Sequence, residues 1–296
     1  MNPLTSTEYE ASLKSIETEN IIDRIFYRPV GFLIAKLLRK TCITPNTITI
    51  ISIFVGAAVG PLFYYNKIHY TFLGIICLIC ANILDCVDGQ LARLTGRKSN
   101  IGRILDGLAG DIWFAVIYVF LALRLKNEFD TWLFFIPAVL SGLSHLVQAN
   151  ITDYYKTLHL FFESKEKGQE FQNLEELRAQ KKQMKPGCQK VLFSFYSVYT
   201  SIQEATTPRL QQMLKHLREK YGDDIPEEIR LDFRRQSKRL MKIYIDWMTF
   251  NGRVAILMIA ALSGYIWFYF LFEIIILNLI LIISIRLHEK ICSKFF

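Results

Sequence analysis

The chain has 296 residues, is 52% hydrophobic and 14% aromatic, and carries a formal net charge of +8. One or two domains would fit that length, but the apolar residues gather in blocks of about 20, the length that crosses a bilayer. This excludes an ordinary soluble enzyme and predicts an all-α membrane protein with six transmembrane helices, an N-terminal interfacial helix and a cytoplasmic helical insertion.

Residues 1–19 are polar and acidic and lack the basic and apolar regions of a signal peptide, so they read as a tail that stays in the cytosol. Residues 20–43 mix apolar and basic side chains. They predict an amphipathic interfacial helix, with Ile21, Ile25, Phe32 and Leu33 on one face broken at Pro29. Thr44 and Pro45 then open a span as N-cap and first helical residue. Residues 44–154 hold four spans, at about 47–65, 70–91, 102–123 and 131–152. Residues 155–250 are polar and basic. Helical spacing is visible in ATTPRLQQMLKHLREKYG and in DDIPEEIRLDFRRQSKRLMKIYIDWM, whose acidic start and basic finish suit the helix dipole. Breaks are expected at Lys185–Pro186–Gly187 and at Gly222. This cytoplasmic insertion carries no nucleic-acid motif, so its basic balance points to a membrane surface. Residues 251–296 complete the chain with two short spans, Val254–Phe270 and Glu273–Ile285, and a basic tail.

Most Lys and Arg residues outside the spans fall on the side of the termini, which the positive-inside rule places in the cytoplasm. The small size and spare N-terminus favour a bacterial inner membrane. The six cysteines show no disulfide framework, and the Cys77-x-x-Cys80 pair inside an apolar helix reads as packing.

The informative stretch is DCVDGQLARLTGRKSNIGRILDGLAGD, residues 85–111, set between two apolar spans. Charges beside hydrocarbon are costly and usually have a task. Asp85 and Asp88, three apart, share a helix face. Gly89 lets a ligand approach the backbone, and Ala92 is small and on the same side. Gly102 and Asp106 follow one turn apart on the next span. Three carboxylates converging at one mouth suit Mg²⁺ or Mn²⁺. Arg93, Arg97, Lys98 and Arg103 around them suit a phosphate. The bland alternative is a set of interhelical salt bridges and solvated loop charges.

The run Asp85-x2-Asp88-Gly89-x2-Ala92-Arg93-x8-Gly102-x3-Asp106 resembles the signature of the CDP-alcohol phosphatidyltransferases, DxxDGxxARx8GxxxDxxxD. The six spans, the interfacial helix and the TPNTIT opening are also similar to that family. The resemblance is good over about residues 20–153 and leaves 155–250 unexplained. It implies transfer of a phosphatidyl-type group from a CDP-activated lipid to a small alcohol or polyol (phosphate) acceptor, with release of CMP, in phospholipid biosynthesis. It implies one or two ions on Asp85, Asp88, Asp106 and Asp111, and a CDP site lined by Gly89, Ala92, Arg93 and Gly102, with Asn46 and Thr49 beside it. It also implies a homodimer and a general base at the last aspartate.

That last aspartate is displaced. The pattern places it at position 110, which is Gly110, and the nearest carboxylate is Asp111. At about 100° per residue, Asp106 and Asp111 lie about 140° apart instead of about 40°. A π-bulge would bring them onto one face, so an irregular turn between them is expected. Arg253, at the start of the fifth span, is a candidate for binding the acceptor's phosphate. Gln148, Asn150 and Asp153–Tyr154–Tyr155 could meet a polyol. His145 reads as a packed histidine. The competing readings are an inactive relative with a regulatory or docking role, and a cation-binding membrane transporter.

Overall fold

The computed structural model describes residues 7–97, 100–164, 171, 173–184, 187–222 and 224–296; the side chains of Ile16, Asn100, Ile101, Arg103, Cys188, Gln189 and Leu192 are outside that description. Among these residues six helical stretches are long and apolar enough to cross a membrane: Pro45–Tyr64, Ile68–Thr95, Ile104–Phe129, Trp132–Glu163, Glu227–Ser263 and Trp267–Cys292. The chain is a multi-pass membrane protein. Its contacts divide it into two compact units, residues 1–146 with 249–277 and residues 147–248 with 278–296.

The first unit begins with α1 (Thr7–Ser12), a short 3-10 turn (Ile16–Thr18) and a π-helical turn (Asp23–Tyr27) that runs into α2 (Arg28–Leu38). Within the expected polar tail, residues 7–12 and 16–18 are helical. Glu8 pairs with Lys36 at 2.8 Å and with Arg39, and Ser12 is buried. The expected interfacial face is corrected at one position. Ile21, Ile25, Leu33 and Leu37 are exposed, but Phe32 turns inward, 0% exposed, with its ring edge-on to Tyr9 at 5.1 Å. Pro29 does not end the helix: residues 21–38 are helical throughout, and the π-helical turn Asp23–Tyr27 lies just before it.

Four helices form the body of this unit: α3 (Pro45–Ala57), α4 (Val59–Tyr64), α5 (Ile68–Thr95) and α6 (Asn100–Phe129). Thr44 caps α3 by accepting from the Thr47 N–H. α3 and α4 both pack on α5 and α6, and α2 lies on α5, burying Ala35, Ile48, Val87 and Leu91. Gly56 permits a close approach: a Cβ there would overlap the Trp113 ring. At the opposite end Arg124 is buried and donates to the Phe63 carbonyl, Asn66 and Glu128, fixing the turn between the first two spans. Phe54, Phe72 and Ile76 point outward, as side chains facing lipid do.

The later spans correct the sequence reading. α7 (Phe135–Glu163) is one unbroken helix that runs past Thr152. α12 (Phe250–Ser263) ends at Gly264, whose φ of 82° suits glycine, and α13 (Trp267–Leu271) already belongs to the sixth span. Trp267–Phe270 were expected in the fifth. Glu273 is consequently inside the sixth span, in a π-helical segment (Phe272–Leu277), and is 0% exposed.

The second unit contains α8 (Leu174–Gln183), α9 (Cys188–Thr206), α10 (Pro208–Tyr221), α11 (Glu227–Ile243) and α14 (Asn278–Cys292), with the end of α7. α10 and α11 match the two helical patterns of the insertion, and Gly222 breaks the chain between them with φ of 61°. Lys185 and Pro186 are outside the described residues. α11 buries Phe233, Ser237, Leu240 and Met241, at helical spacing, against α14. Phe162 stacks on Phe233 at 4.2 Å, and Tyr155 is stacked on both Tyr244 and His288. The insertion and the end of the last helix thus share one core, which local hydropathy does not show.

Candidate active site

α5 extends beyond its apolar stretch by a polar turn and stops at Gly96, in the left-handed conformation. That turn carries Asp85 and Asp88 on one face, and the first turns of α6 bring Asp106 beside them. One carboxylate oxygen from each of the three lies within 4.8 Å of the others. Asp85 is half-buried, Asp88 is 3% exposed and Asp106 is exposed, so the group opens to one side. Thr49, buried on α3, donates its hydroxyl to Asp88 Oδ2. Asp88 Oδ1 is buried and makes no hydrogen bond. An orphaned buried carboxylate oxygen is costly, and a hard cation is the ligand such oxygens suit. The residues present therefore fit a divalent ion held by Asp85, Asp88 and Asp106.

The nucleotide candidates lie on α3, α5 and α6, the helices that carry this group and Thr49. Gly89 is close to Arg93: a Cβ added there would lie 3.2 Å from its guanidinium. Arg93 donates through Nε to the Ser12 carbonyl, and Gln90 donates to the Ser12 hydroxyl and the Arg28 carbonyl, each at 3.2 Å. Sequence reasoning missed Ser12, because nothing local marks a strap 81 residues from its partner. Ala92 is half-buried, Asn46 is half-buried at the start of α3, and Gly102 is on α6 one turn before Asp106. Arg97 is exposed; Lys98 and the Arg103 side chain lie outside the described residues.

The irregular turn expected between Asp106 and Asp111 does not form. α6 is regular α-helix throughout, so the two carboxylates diverge by about 140°. Asp111 is not in the three-carboxylate group; its Oδ1 faces His145 on α7, at 3.7 Å from Nε2. The expectation failed because it required Asp111 to join Asp106, whereas a histidine on a neighbouring span gives it another direction. Between the two aspartates lie Gly107 and Gly110, and a Cβ at either would meet nothing within 4 Å among the described residues. α6 thus offers an open floor without side chains, bordered by Asp106 on one edge and Asp111 on the other.

Arg253 is not open at a mouth. It is 1% exposed, and its Nη1 donates to Glu273 Oε2 at 2.6 Å. Tyr269 donates to Glu273 Oε1 at 2.8 Å. The signal present in the sequence is Glu273 itself, an acid where the expected sixth span begins. The polyol candidates on α7 are engaged within the second unit. Gln148 donates to Asn278, Asn150 to the Tyr199 carbonyl, and Tyr154 accepts from Gln211. Asp153 is exposed. Cys77 and Cys80 are free thiols.

Residues 42–167 match the family model described as CDP-alcohol phosphatidyltransferase. The archaetidylinositol phosphate synthase of Pyrococcus horikoshii is 40% identical over 73 residues, 25% of this chain and 37% of that protein. The archaetidylinositol phosphate synthase of Aeropyrum pernix is 29% identical over 101 residues, 32% of this chain and 50% of that protein. The ceramide phosphoethanolamine synthase of Drosophila melanogaster is 30% identical over 97 residues, 30% of this chain and 25% of that protein. The chain therefore spans half or less of the length of these relatives. Over residues 42–167 it is similar to the CDP-alcohol phosphatidyltransferases.

Proposed function

We propose that the protein transfers a substituted phosphate from a CDP-activated donor to an alcohol acceptor and releases CMP. The observation that carries this reading is the group of Asp85, Asp88 and Asp106, with the orphaned Asp88 oxygen, inside the segment that matches the family. One or two Mg²⁺ or Mn²⁺ ions, when bound there, neutralise phosphoryl oxygens of the donor pyrophosphate. Gly89 leaves room for the nucleotide, with Arg93, Ala92, Gly102, Asn46 and Thr49 around it. The floor of Gly107 and Gly110 admits the reacting groups between Asp106 and Asp111. The acceptor oxygen bonds to the phosphorus on the side away from the nucleoside, and the bond from that phosphorus to CMP breaks. Asp111 takes the hydroxyl proton, as a carboxylate can when the hydroxyl is within hydrogen-bond reach.

The same reading places the site and both termini at the cytoplasmic face, where basic residues accumulate, and takes the protein as a homodimer. The matched relatives carry two kinds of product name, one an inositol phosphate lipid and one a ceramide phosphoethanolamine. The test therefore has two arms. Purified protein in detergent with Mn²⁺ receives CDP-diacylglycerol with inositol phosphate, inositol, glycerol phosphate or serine, or CDP-ethanolamine with ceramide. CMP release in one arm, lost in Asp88→Ala, is the expected result and names the acceptor. No release in either arm, while Mn²⁺ still binds, would overturn the transferase reading in favour of the inactive relative.

A further inference from the structure

Asp111 stands at the end of a chain of buried polar contacts that runs through the first unit. Tyr269 and Arg253 occupy both oxygens of Glu273. Nη1 of Arg253 is also 3.2 Å from His145 Nδ1, and the Tyr118 hydroxyl is 3.1 Å from the same nitrogen. The His145 ring lies over Phe114, 4.5 Å between centroids. Its other nitrogen, Nε2, faces Asp111 Oδ1. A guanidinium has donors and no acceptor. The ring nitrogen beside it must therefore be the acceptor, so Nδ1 carries no hydrogen. The ring is neutral, with its N–H on Nε2, aimed at Asp111.

We infer that His145 is the positioning residue for Asp111: Arg253, locked by Glu273, selects the tautomer whose Nε2–H holds the Asp111 carboxylate at the edge of the glycine floor. This deepens the transferase reading and rests on it for the meaning of Asp111. It accounts for the displaced aspartate. A carboxylate at 110 would share the Asp106 face, whereas one at 111 is about 100° further round the helix, toward α7, where His145 supplies a donor. The 3.7 Å separation closes to a hydrogen bond with a shift of a few tenths of an ångström, and catalytic contacts commonly tighten when substrate binds. It also gives buried Arg253 a task other than holding the acceptor's phosphate.

Two measurements test this independently. The first is ¹⁵N NMR of histidine-labelled protein in micelles, with the His145 signals identified by their loss in His145→Gln. A neutral ring protonated at Nε2 near pH 7, giving way to mixed tautomers in Arg253→Gln, is expected. A ring protonated at Nδ1, or an imidazolium, would overturn the proposal whether or not the protein is active. The second is kinetic, with the acceptor found above. His145→Gln, which keeps an N–H near the Nε2 position, should stay within about tenfold of wild type, while His145→Ala loses on the order of 10²-fold in kcat with the donor KM unchanged, within the usual range for an acid–base contribution. Adding Gly110→Asp to His145→Ala should restore turnover, since position 110 has room for the side chain and needs no support from α7. Full activity of His145→Ala, or a loss that Gly110→Asp leaves unchanged, would overturn the proposal. Wild type without CMP release would count against the transferase reading alone, and the tautomer would then decide the positioning claim.

Discussion

Two groups of acidic side chains in the first unit are built on opposite principles. Asp85, Asp88 and Asp106 gather like charges within 4.8 Å and leave a buried oxygen of Asp88 without a hydrogen bond. Glu273 is more deeply buried, yet both of its oxygens are occupied, one by Arg253 and one by Tyr269. Like-charged carboxylates resist ionising together, so a cation bound among the first group would relieve their repulsion. The second is internally compensated and needs no ligand. Burial alone therefore does not mark a binding site; the marker is an acceptor left open where charge accumulates.

The contrast breaks most clearly at Glu273. Glu273→Ala leaves the Arg253 guanidinium buried with its main partner gone, and removing one partner of a buried pair costs about 3–5 kcal/mol. A large fall in the thermal midpoint in detergent is expected, with or without divalent ions. An unchanged midpoint would mean that water reaches Arg253. Asp88→Asn should behave in the reverse way. CMP release should fall on the order of 10²–10³-fold, the scale for losing one electrostatic contact to developing charge. The midpoint in EDTA should rise slightly, because one like charge is gone. Mn²⁺ sharpens the same comparison. At about 100 times its dissociation constant a ligand stabilises by about 2.7 kcal/mol, so Mn²⁺ should raise the midpoint of wild type and of His145→Ala, and leave Asp88→Asn unmoved.

Smaller effects test the frame around the two groups. Gly56→Ala should cost about 1–3 kcal/mol, the range for overpacking, because the new methyl overlaps Trp113 between α3 and α6; the urea midpoint in detergent reads it. The smallest effect is at Glu8, whose pKa is lowered by its hydrogen bonds to Lys36 and then Arg39. A carboxyl depressed by folding contributes its stabilisation above its unfolded value and loses it as pH falls through the folded one. The α1 strap on Arg93 should therefore become more accessible to protease in acid, and Glu8→Gln should show that accessibility already at neutral pH. Equal cleavage of the two proteins at pH 7 would remove Glu8 from the clamp.

Sequence and structure agree where the relevant geometry is local. Asp85 and Asp88 share a face because three residues are nearly one helical turn, and Thr44 caps α3 through a contact three residues away. The six spans follow from the apolar content of about 20 residues at a time. The departures occur where a residue's direction depends on a distant partner. Phe32 reads as lipid-facing by spacing but packs on Tyr9. The π-turn expected at Asp106–Asp111 is absent, and a π-helical segment instead spans Phe272–Leu277, around Glu273.

The sequence by itself therefore determined the six candidate spans found among the described residues and a carboxylate motif at one end of the second and third, because helix periodicity and hydropathy are properties of neighbouring residues. Only the tertiary structure decided what each charge faces. Arg253 is 20 residues from Glu273 and 108 from His145, and Asp111 meets a histidine on the following span. Such pairings depend on how helices pack, and a buried charge takes its role from the partner that packing provides.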